Sequence, residues 1–270
     1  MGGCILLQKR RLGQHDIEVS VLGLGTVKFG RDQGVKYPAP FTIPSDQALA
    51  SLLDCAIDCG INLLDTAPAY GMSEERLGVL LAHKRKQFII ATKVGETFVD
   101  GQSNFDFSKE AIESSVDRSL KRLKTDYCDI VLVHSNGDDE RLIDEEEVFE
   151  TLKYLKTQGK IRCFGMSTKT VAGGLKTVDL ADVVMVTFNP LYQDERAVIQ
   201  YAQQKNKGVL IKKAFVSGHL DQIADKNPIQ HALQFILAES GVSSIVIGTI
   251  NPKHLQDNVA LFHEMISSSL

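Results

Sequence analysis

The 270-residue chain contains no tryptophan, and its five cysteines (Cys4, Cys55, Cys59, Cys128, Cys163) are scattered and odd in number. Such a set does not form a disulfide framework and fits a reducing compartment. Cys55 and Cys59 can share a helix face, but no two further ligands stand nearby, so core packing rather than metal binding is expected. No apolar run approaches the roughly 20 residues that a membrane helix needs. The opening "MGGCILLQKRR" places its charges after a very short apolar run, against the order of a secretory signal. Gly2 and Gly3 begin a myristoylation motif that Leu6 breaks, standing where Ser or Thr is required. The net charge is −4, without a concentrated basic stripe, which argues against a nucleic-acid surface. HExxH, paired CxxC and P-loop motifs are missing as well. "GLGTVKFG" (23–30) has Gly-x-Gly but no third glycine, and a Pro-bearing loop follows it instead of a helix. A cytoplasmic protein with a small-molecule partner, no metal and no membrane contact is expected.

What the chain does have is alternation. Leu49, Leu52, Leu53, Ala56 and Ile57 follow helical spacing behind the capping candidates Ser45 and Asp46. The short apolar run "INLLDT" then reads as a buried strand. The same pair recurs through "FIIATKV", "CDIVLVH", "IRCFGMS", "VVMVTF", "GVLIKKAF" and "SSIVIG", each reached through a helical segment. A last helix is expected from Pro252 to about Ile266. With "VSVLGLG" as the first strand there are eight strand–helix pairs. Near-continuous apolar strands alternating with helices call for a parallel sheet covered by helices. Eight repeats in about 250 residues predict an α/β fold, the closed (β/α)8 TIM barrel. The segment "CILLQKRRLG" is expected to form a hairpin closing the barrel bottom. Residues 31–44, "RDQGVKYPAPFTIP", are expected to enlarge the first loop, and 1–270 to form one domain.

In such barrels the chemistry lies where strands end and loops begin. Strand two ends at Asp65 with Tyr70 just beyond, strand three at Lys93 and strand four at His134. Singly, each has an ordinary explanation: a turn cap, a loop aromatic, a snorkelling lysine, a strand terminus. Together they make a proton donor. A free tyrosine has a pKa of about 10. An ammonium about 4 Å away at an effective dielectric near 20 favours phenolate by about 4 kcal/mol. That predicts a Tyr70 pKa lowered by roughly three units. Asp65 then serves as the counter-ion of Lys93, and His134 orients the reacting carbonyl.

These segments resemble the aldo-keto reductase family. The resemblance covers nearly the whole chain and is carried by "EVSVLGLGT" (18–26), "LLDTAPAYG" (63–71), "ATKVG" (91–95), "DIVLVH" (129–134), "GMST" (165–168) and "IGTINPKHLQDN" (247–258). It implies an NAD(P)H-dependent oxidoreductase reducing an aldehyde or ketone to an alcohol, or the reverse. Asp65, Tyr70, Lys93 and His134 form the implied tetrad, with Tyr70 as general acid/base. Gly25, Thr26, Ser167, Thr168, Lys212, Lys213, Gly248, Thr249, Lys253, His254 and Asn258 are the implied cofactor residues.

Asn251 and Pro252 are also a good helix start on physical grounds, and a helix N-terminus attracts phosphate. The chain departs from the family where Lys212–Lys213 replace Tyr–Ser, Met185 replaces Gln, Thr168 replaces Asn and His254 replaces Arg. On alternating strand faces the two lysines cannot both reach solvent easily, so an anion or a carboxylate is expected to relieve one. NADPH is the expected cofactor, with NADH as the alternative.

Lys28, Phe29, Phe98 and Phe215 are the candidates for the substrate pocket. The acidic run Asp138, Asp139 and Glu140 is expected to disfavour anionic substrates. Leu270 follows the last helix closely, so the long C-terminal tail of many family members is expected to be missing and the mouth to be open. Two rivals remain at this level: a Schiff-base lyase using Lys93, and a non-catalytic cofactor-binding regulatory subunit.

Overall fold

A computed structural model describes residues 6–145 and 147–267; Cys4 and Ile5 of the expected N-terminal hairpin segment lie outside it. The strands are β1 (Lys9–Arg11), β2 (Glu18–Ser20), β3 (Leu22–Gly25), β4 (Leu63–Asp65), β5 (Ile89–Val94), β6 (Glu96–Val99), β7 (Gln102–Phe105), β8 (Cys128–His134), β9 (Ile161–Ser167), β10 (Val183–Thr187), β11 (Gly208–Lys212) and β12 (Ser244–Ile247). The helices are α1 (Asp46–Asp58), α2 (Ser73–Leu80), α3 (Lys109–Leu123), α4 (Asp139–Asp144), α5 (Val148–Thr157), α6 (Val171–Leu180), α7 (Arg196–Gln204), α8 (Pro228–Leu237) and α9 (Pro252–Ser267). Strands β3, β4, β5, β8, β9, β10, β11 and β12 close into a parallel barrel. This is the (β/α)8 architecture that the alternation predicts.

Local signals explain where the helices begin. Ser45 Oγ accepts from Ala48 N at the start of α1, and Ser108 Oγ accepts from Ala111 N at the start of α3. Each thereby satisfies one of the unpaired amides of a helix N-terminus. The predicted stripe of α1 is buried at Leu49, Leu52, Leu53 and Ala56.

The strands build two cores. Their outward residues, such as Leu64, Ile90, Val131 and Ile211, pack with the helices. Their inward residues Leu63, Ala91, Ile130, Leu132, Met185 and Leu210 fill the barrel, plugged from below by Leu12, Ile17 and Val19. Burying each large aliphatic side chain contributes about 1.5–3 kcal/mol. The plug comes from β1 and β2, which pair antiparallel from Lys9↔Ser20 to Arg11↔Glu18. The segment Glu18–Gly25 therefore divides at Val21 between plug and barrel wall.

The inward set also fixes the top of the barrel. Side chains two apart on a strand share a face. Two residues beyond Leu63, Ala91, Leu132 and Leu210 stand Asp65, Lys93, His134 and Lys212. The apolar filling is thus capped by a layer of ionisable groups.

Two elements go beyond the predicted alternation. The hairpin β6–β7 turns at Asp100 (φ 51) and Gly101 (φ 80), a left-handed pair suited to a tight hairpin. Helix α4 occupies the loop after β8.

Candidate active site

The ends of β4, β5 and β8 bring the predicted tetrad together. Lys93 Nζ lies 2.7 Å from Asp65 Oδ1 and donates to Thr66 O at 3.0 Å. Lys93 is only 2% exposed and Asp65 5%, so this is a buried ion pair, not a surface one. The same ammonium lies 4.7 Å from the centroid of the Tyr70 ring, where its charge favours the phenolate. His134 meets Tyr70 edge-on, with ring centroids 6.2 Å apart.

Backbone geometry holds Tyr70 in place. Gly71 has φ +59, and any Cβ there would come within 2.0 Å of Gly30 O. Only glycine permits both the left-handed turn and that close approach. Thr26 fastens the end of β4, donating from its amide and its hydroxyl to Asp65 O at 2.9 and 3.0 Å.

The electrostatics correct one expectation. Burial opposes the charge on Lys93, but Asp65 and Tyr70 outweigh it and hold the lysine above its usual pKa. Tyr70 moves the other way from the predicted lowering: burial is the largest influence and pushes it up to about 12, with Asp65 cancelling part of the help from Lys93. A pairwise estimate that omits burial and the counter-ion therefore gives the wrong sign. Tyr70 is a neutral phenol, and a charged Lys93 is a poor Schiff-base nucleophile.

The opposite wall holds a second lysine, which is half-buried. Lys212 Nζ donates to Ser167 Oγ at 2.8 Å and to Thr168 O at 2.5 Å. An ammonium has three donors, so these two acceptors leave a third for another partner. Burial, the largest cause, lowers its pKa to about 7, with Lys213 and Lys93 adding to the fall and Glu195 opposing it. Glu195 is fully buried; it accepts from Thr168 Oγ1 at 3.0 Å and from Thr187 N at 2.8 Å. Thr168 thus joins Lys212 to Glu195 without a direct ion pair between them. Met185 lies beneath in the apolar filling, so its side chain supplies no polar group there.

Lys213 turns away from Lys212, as alternation requires. Its φ is +55, and those of Val216 and Ser217 are +50 and +56. Left-handed backbone is costly for a β-branched residue such as Val216 and marks a strained loop. A cleft of about 390 Å³ opens there, lined by Lys169, Thr187, Asn189, Glu195, Lys213 and Ser217 among others. Asn189 Nδ2 donates to Lys213 O at 3.0 Å and braces the turn.

Beyond β12, Gly248 is exposed. Thr249 Oγ1 accepts from Asn251 N at 3.1 Å, and Asn251 Oδ1 accepts from Lys253 N at 2.9 Å, which caps α9. His254 is exposed, Asn258 is buried, and the ammonium of Lys253 is paired with Asp257. The enlarged first loop crosses towards this end: Tyr37 Oη sits 3.5 Å from where a Cβ of Gly248 would lie. An exposed glycine beside a capped helix start, and a half-buried ammonium with a spare donor, are features that a dinucleotide can use.

The pocket candidates separate. Lys28 Nζ lies 4.1 Å from the Tyr37 ring centroid, and Phe98 carries the Arg31 guanidinium at 3.4 Å. Phe215 is half-buried against the outer core. Phe29 is fully buried within that core; the short turn Val27–Phe29 carries it away from the opening. The acidic run differs as well. Asp139 is buried, accepting from Lys169 N, Thr170 N and Thr170 Oγ1 at 2.8–3.0 Å. Its charge is spent on fixing the loop after β9.

Two residues outside the sequence prediction complete the rim. Glu96 Oε2 lies 2.5 Å from His134 Nδ1. Arg31 donates to Ala69 O at 3.1 Å, which ties the first loop to the Tyr70 loop. Neither lies at the end of a barrel strand, where this fold places its chemistry. The Asp100–Gly101 turn was the one local signal of the hairpin that carries Glu96.

Known proteins agree with this geometry. The Aldo/keto reductase family profile matches residues 21–229. The solved structure of PA4992 from Pseudomonas aeruginosa, which bears the same family designation, is 48% identical, with a TM-score of 0.86 over 94% of each chain. The oxidoreductase YqkF of Bacillus subtilis is 28% identical over 94% of this chain and 90% of its own. An NADH-specific methylglyoxal reductase of Escherichia coli is 27% identical over 97% of this chain and 96% of its own. With the family profile spanning most of its length and the barrel closed around an ionisable rim, the chain belongs to the aldo/keto reductase family of NAD(P)H-dependent oxidoreductases.

Proposed function

We propose that this protein reduces a small aldehyde or ketone to its alcohol, or runs the reverse, with Tyr70 as the proton donor and acceptor and NADPH as the preferred cofactor. The observation that carries the proposal is the buried Asp65–Lys93 ion pair with its ammonium 4.7 Å from the Tyr70 ring, beside His134. The nicotinamide, when bound, supplies the hydride. The protein's own residues handle the proton. Tyr70 stays protonated until a carbonyl oxygen beside it gains negative charge. The fixed Lys93 ammonium then stabilises the phenolate left behind, without any reorganisation of solvent. Asp65 keeps that ammonium charged.

Ser167, Lys212, Gly248, Thr249, Lys253, His254 and Asn258 would hold the cofactor, with Gly25 and Lys213 at its borders. Thr26 and Thr168 act through their neighbours: Thr26 binds Asp65 O, and the Thr168 hydroxyl binds Glu195. NADH is a second reading that one observation favours: Lys253 is already paired with Asp257, which leaves His254 as the exposed cationic candidate at the start of α9. The pairing also matches the NADH-specific name of the Escherichia coli relative.

Titrating the protein into NADPH and into NADH, with reduced-nicotinamide fluorescence as the signal, tests the cofactor. Saturation at micromolar NADPH with weaker NADH binding is expected. Tighter NADH binding would overturn the NADPH preference. Adding an activated aldehyde such as 4-nitrobenzaldehyde then tests the reaction through steady loss of 340 nm absorbance. Binding without turnover would favour a regulatory subunit.

A further inference from the structure

The turn from β5 into β6 delivers a carboxylate to the back of His134. Gly95 makes that turn at φ +93, where a Cβ would fall 2.2 Å from the Phe107 ring. Glu96 follows it and is 9% exposed. One of its oxygens lies 2.5 Å from His134 Nδ1, and the other accepts from Ser103 Oγ at 2.6 Å across the hairpin. Burial disfavours the Glu96 charge, but His134, Ser103 and Arg31 outweigh it and bring its pKa down to about 2. Glu96 is therefore an anion at any working pH, and an ionised carboxylate only accepts hydrogen bonds. The ring N–H is not aimed squarely at that oxygen, but an anion 2.5 Å from Nδ1 favours the proton on that nitrogen.

An imidazole has two nitrogens, and the partner of one decides what the other can do. We propose that Glu96 is a positioning residue for the carbonyl chemistry, holding His134 with its proton on Nδ1, so that Nε2 meets the reacting oxygen as an acceptor and becomes a donor only after taking a second proton. The role in catalysis rests on the proposed reductase function, whereas the hold on His134 does not. Neutral His134 suits an alcohol, whose hydroxyl can hydrogen-bond to Nε2 while Tyr70 remains the group that takes the proton. A carbonyl oxygen has no proton to give, so reduction uses the doubly protonated ring, and oxidation uses the neutral one.

The charged groups facing His134 set where that change falls. Burial, the largest cause, lowers its pKa; Glu96 on β6 opposes this, and Lys93 on β5 and Lys212 on β11 add to the fall. Asp65 and Tyr70 act through Lys93, and Arg31 acts through Glu96. Reduction is therefore expected to decline as pH rises, and oxidation to grow.

Long-range ¹⁵N–¹H NMR of the histidines, with His134→Gln assigning the signal, reads the tautomer directly. The expected result is a proton on Nδ1 in the wild type that moves to Nε2 in Glu96→Ala. Ser103→Ala, which keeps the carboxylate, is expected to retain Nδ1–H. For Glu96→Gln, turnover is expected to fall about 30-fold, a typical cost of losing the group that orients a histidine, with KM for the cofactor unchanged and the pH limb of reduction moved to lower pH. Cofactor affinity and circular dichroism establish that each variant is folded. A wild-type proton on Nε2 would overturn the proposal, as would a Glu96→Gln pH profile superimposable on the wild type. A protein without reductase activity would sink the proposed function, while the tautomer would still decide whether Glu96 holds His134.

Discussion

Lys93 and Lys212 stand on strands four apart in either direction around the eight-stranded ring, so they face each other across the mouth. Both are lysines near a strand end, two residues above the apolar filling, Lys93 buried and Lys212 half-buried. One has a carboxylate at 2.7 Å and is held above its usual pKa. The other has a hydroxyl and a carbonyl, meets Glu195 only through Thr168, and falls to about 7. The lysine with the paired carboxylate is the more buried of the two, so the counter-ion and not lesser burial keeps its pKa high. A buried ammonium with a partnered carboxylate is a fixed positive charge; one without is a group that can lose its proton at neutral pH. On the proposed function, the Lys93 wall serves the reaction and the Lys212 wall a ligand.

The largest expected effect breaks the reactive wall at its acid. Tyr70→Phe is expected to lower turnover about 10³-fold, in the range of general acid catalysis, with NADPH affinity unchanged in the fluorescence titration. Next comes the counter-ion. Asp65→Asn leaves Lys93 charged, buried and unpaired, which costs about 3 kcal/mol of stability, read as a lower urea midpoint. It is also expected to depress turnover, because Lys93 then loses its proton more easily.

Lys212→Met probes the other wall, and its effect on stability depends on pH. A lysine with a folded pKa near 7 and an unfolded value of about 10.4 binds fewer protons when folded between those limits. Wild-type stability is therefore expected to rise with pH across that window relative to Lys212→Met. Lys93, with its pKa raised, has the opposite sign: its contribution is full below about pH 10.4 and is lost only above that. Urea midpoints at pH 6, 8 and 10 check the Lys212 sign, and the Lys93 contribution is expected to stay constant across them. The same variant is expected to weaken dinucleotide binding about tenfold, the value of one charge-assisted hydrogen bond. The smallest expected effect lies at α9. His254→Arg adds a permanent charge beside Lys253, expected to raise the NADPH-to-NADH affinity ratio about fivefold, measured in the paired titrations.

Much of this site is legible in the sequence because a barrel strand has period two and the fold places function at one end. That is how Asp65, Lys93 and His134, far apart in the chain, read as one rim. The alternating faces of Lys212 and Lys213 follow from the same rule. What escapes is whatever depends on a neighbour from another element. Glu96 reaches His134 across a hairpin whose only local signal is Asp100–Gly101. Asp139 reads as part of an acidic run but is buried, and Glu195, which no motif singles out, is buried too; they hold the loops after β9 and β10. Phe29 sits beside the mouth in sequence, yet a three-residue turn sends it into the core. The sign of the Tyr70 shift needs burial and Asp65 together, and spacing supplies neither.

The division between the two walls is best tested by titrating the lysine side chains themselves, following ¹³Cε chemical shifts from pH 5 to 11 in the wild type, Lys93→Met and Lys212→Met. One lysine is expected to titrate near pH 7 and to vanish from the spectrum of Lys212→Met, while the signal lost in Lys93→Met shows no titration below pH 10. A Lys212 that keeps its proton past pH 9, or a Lys93 that releases one near neutrality, would contradict the account.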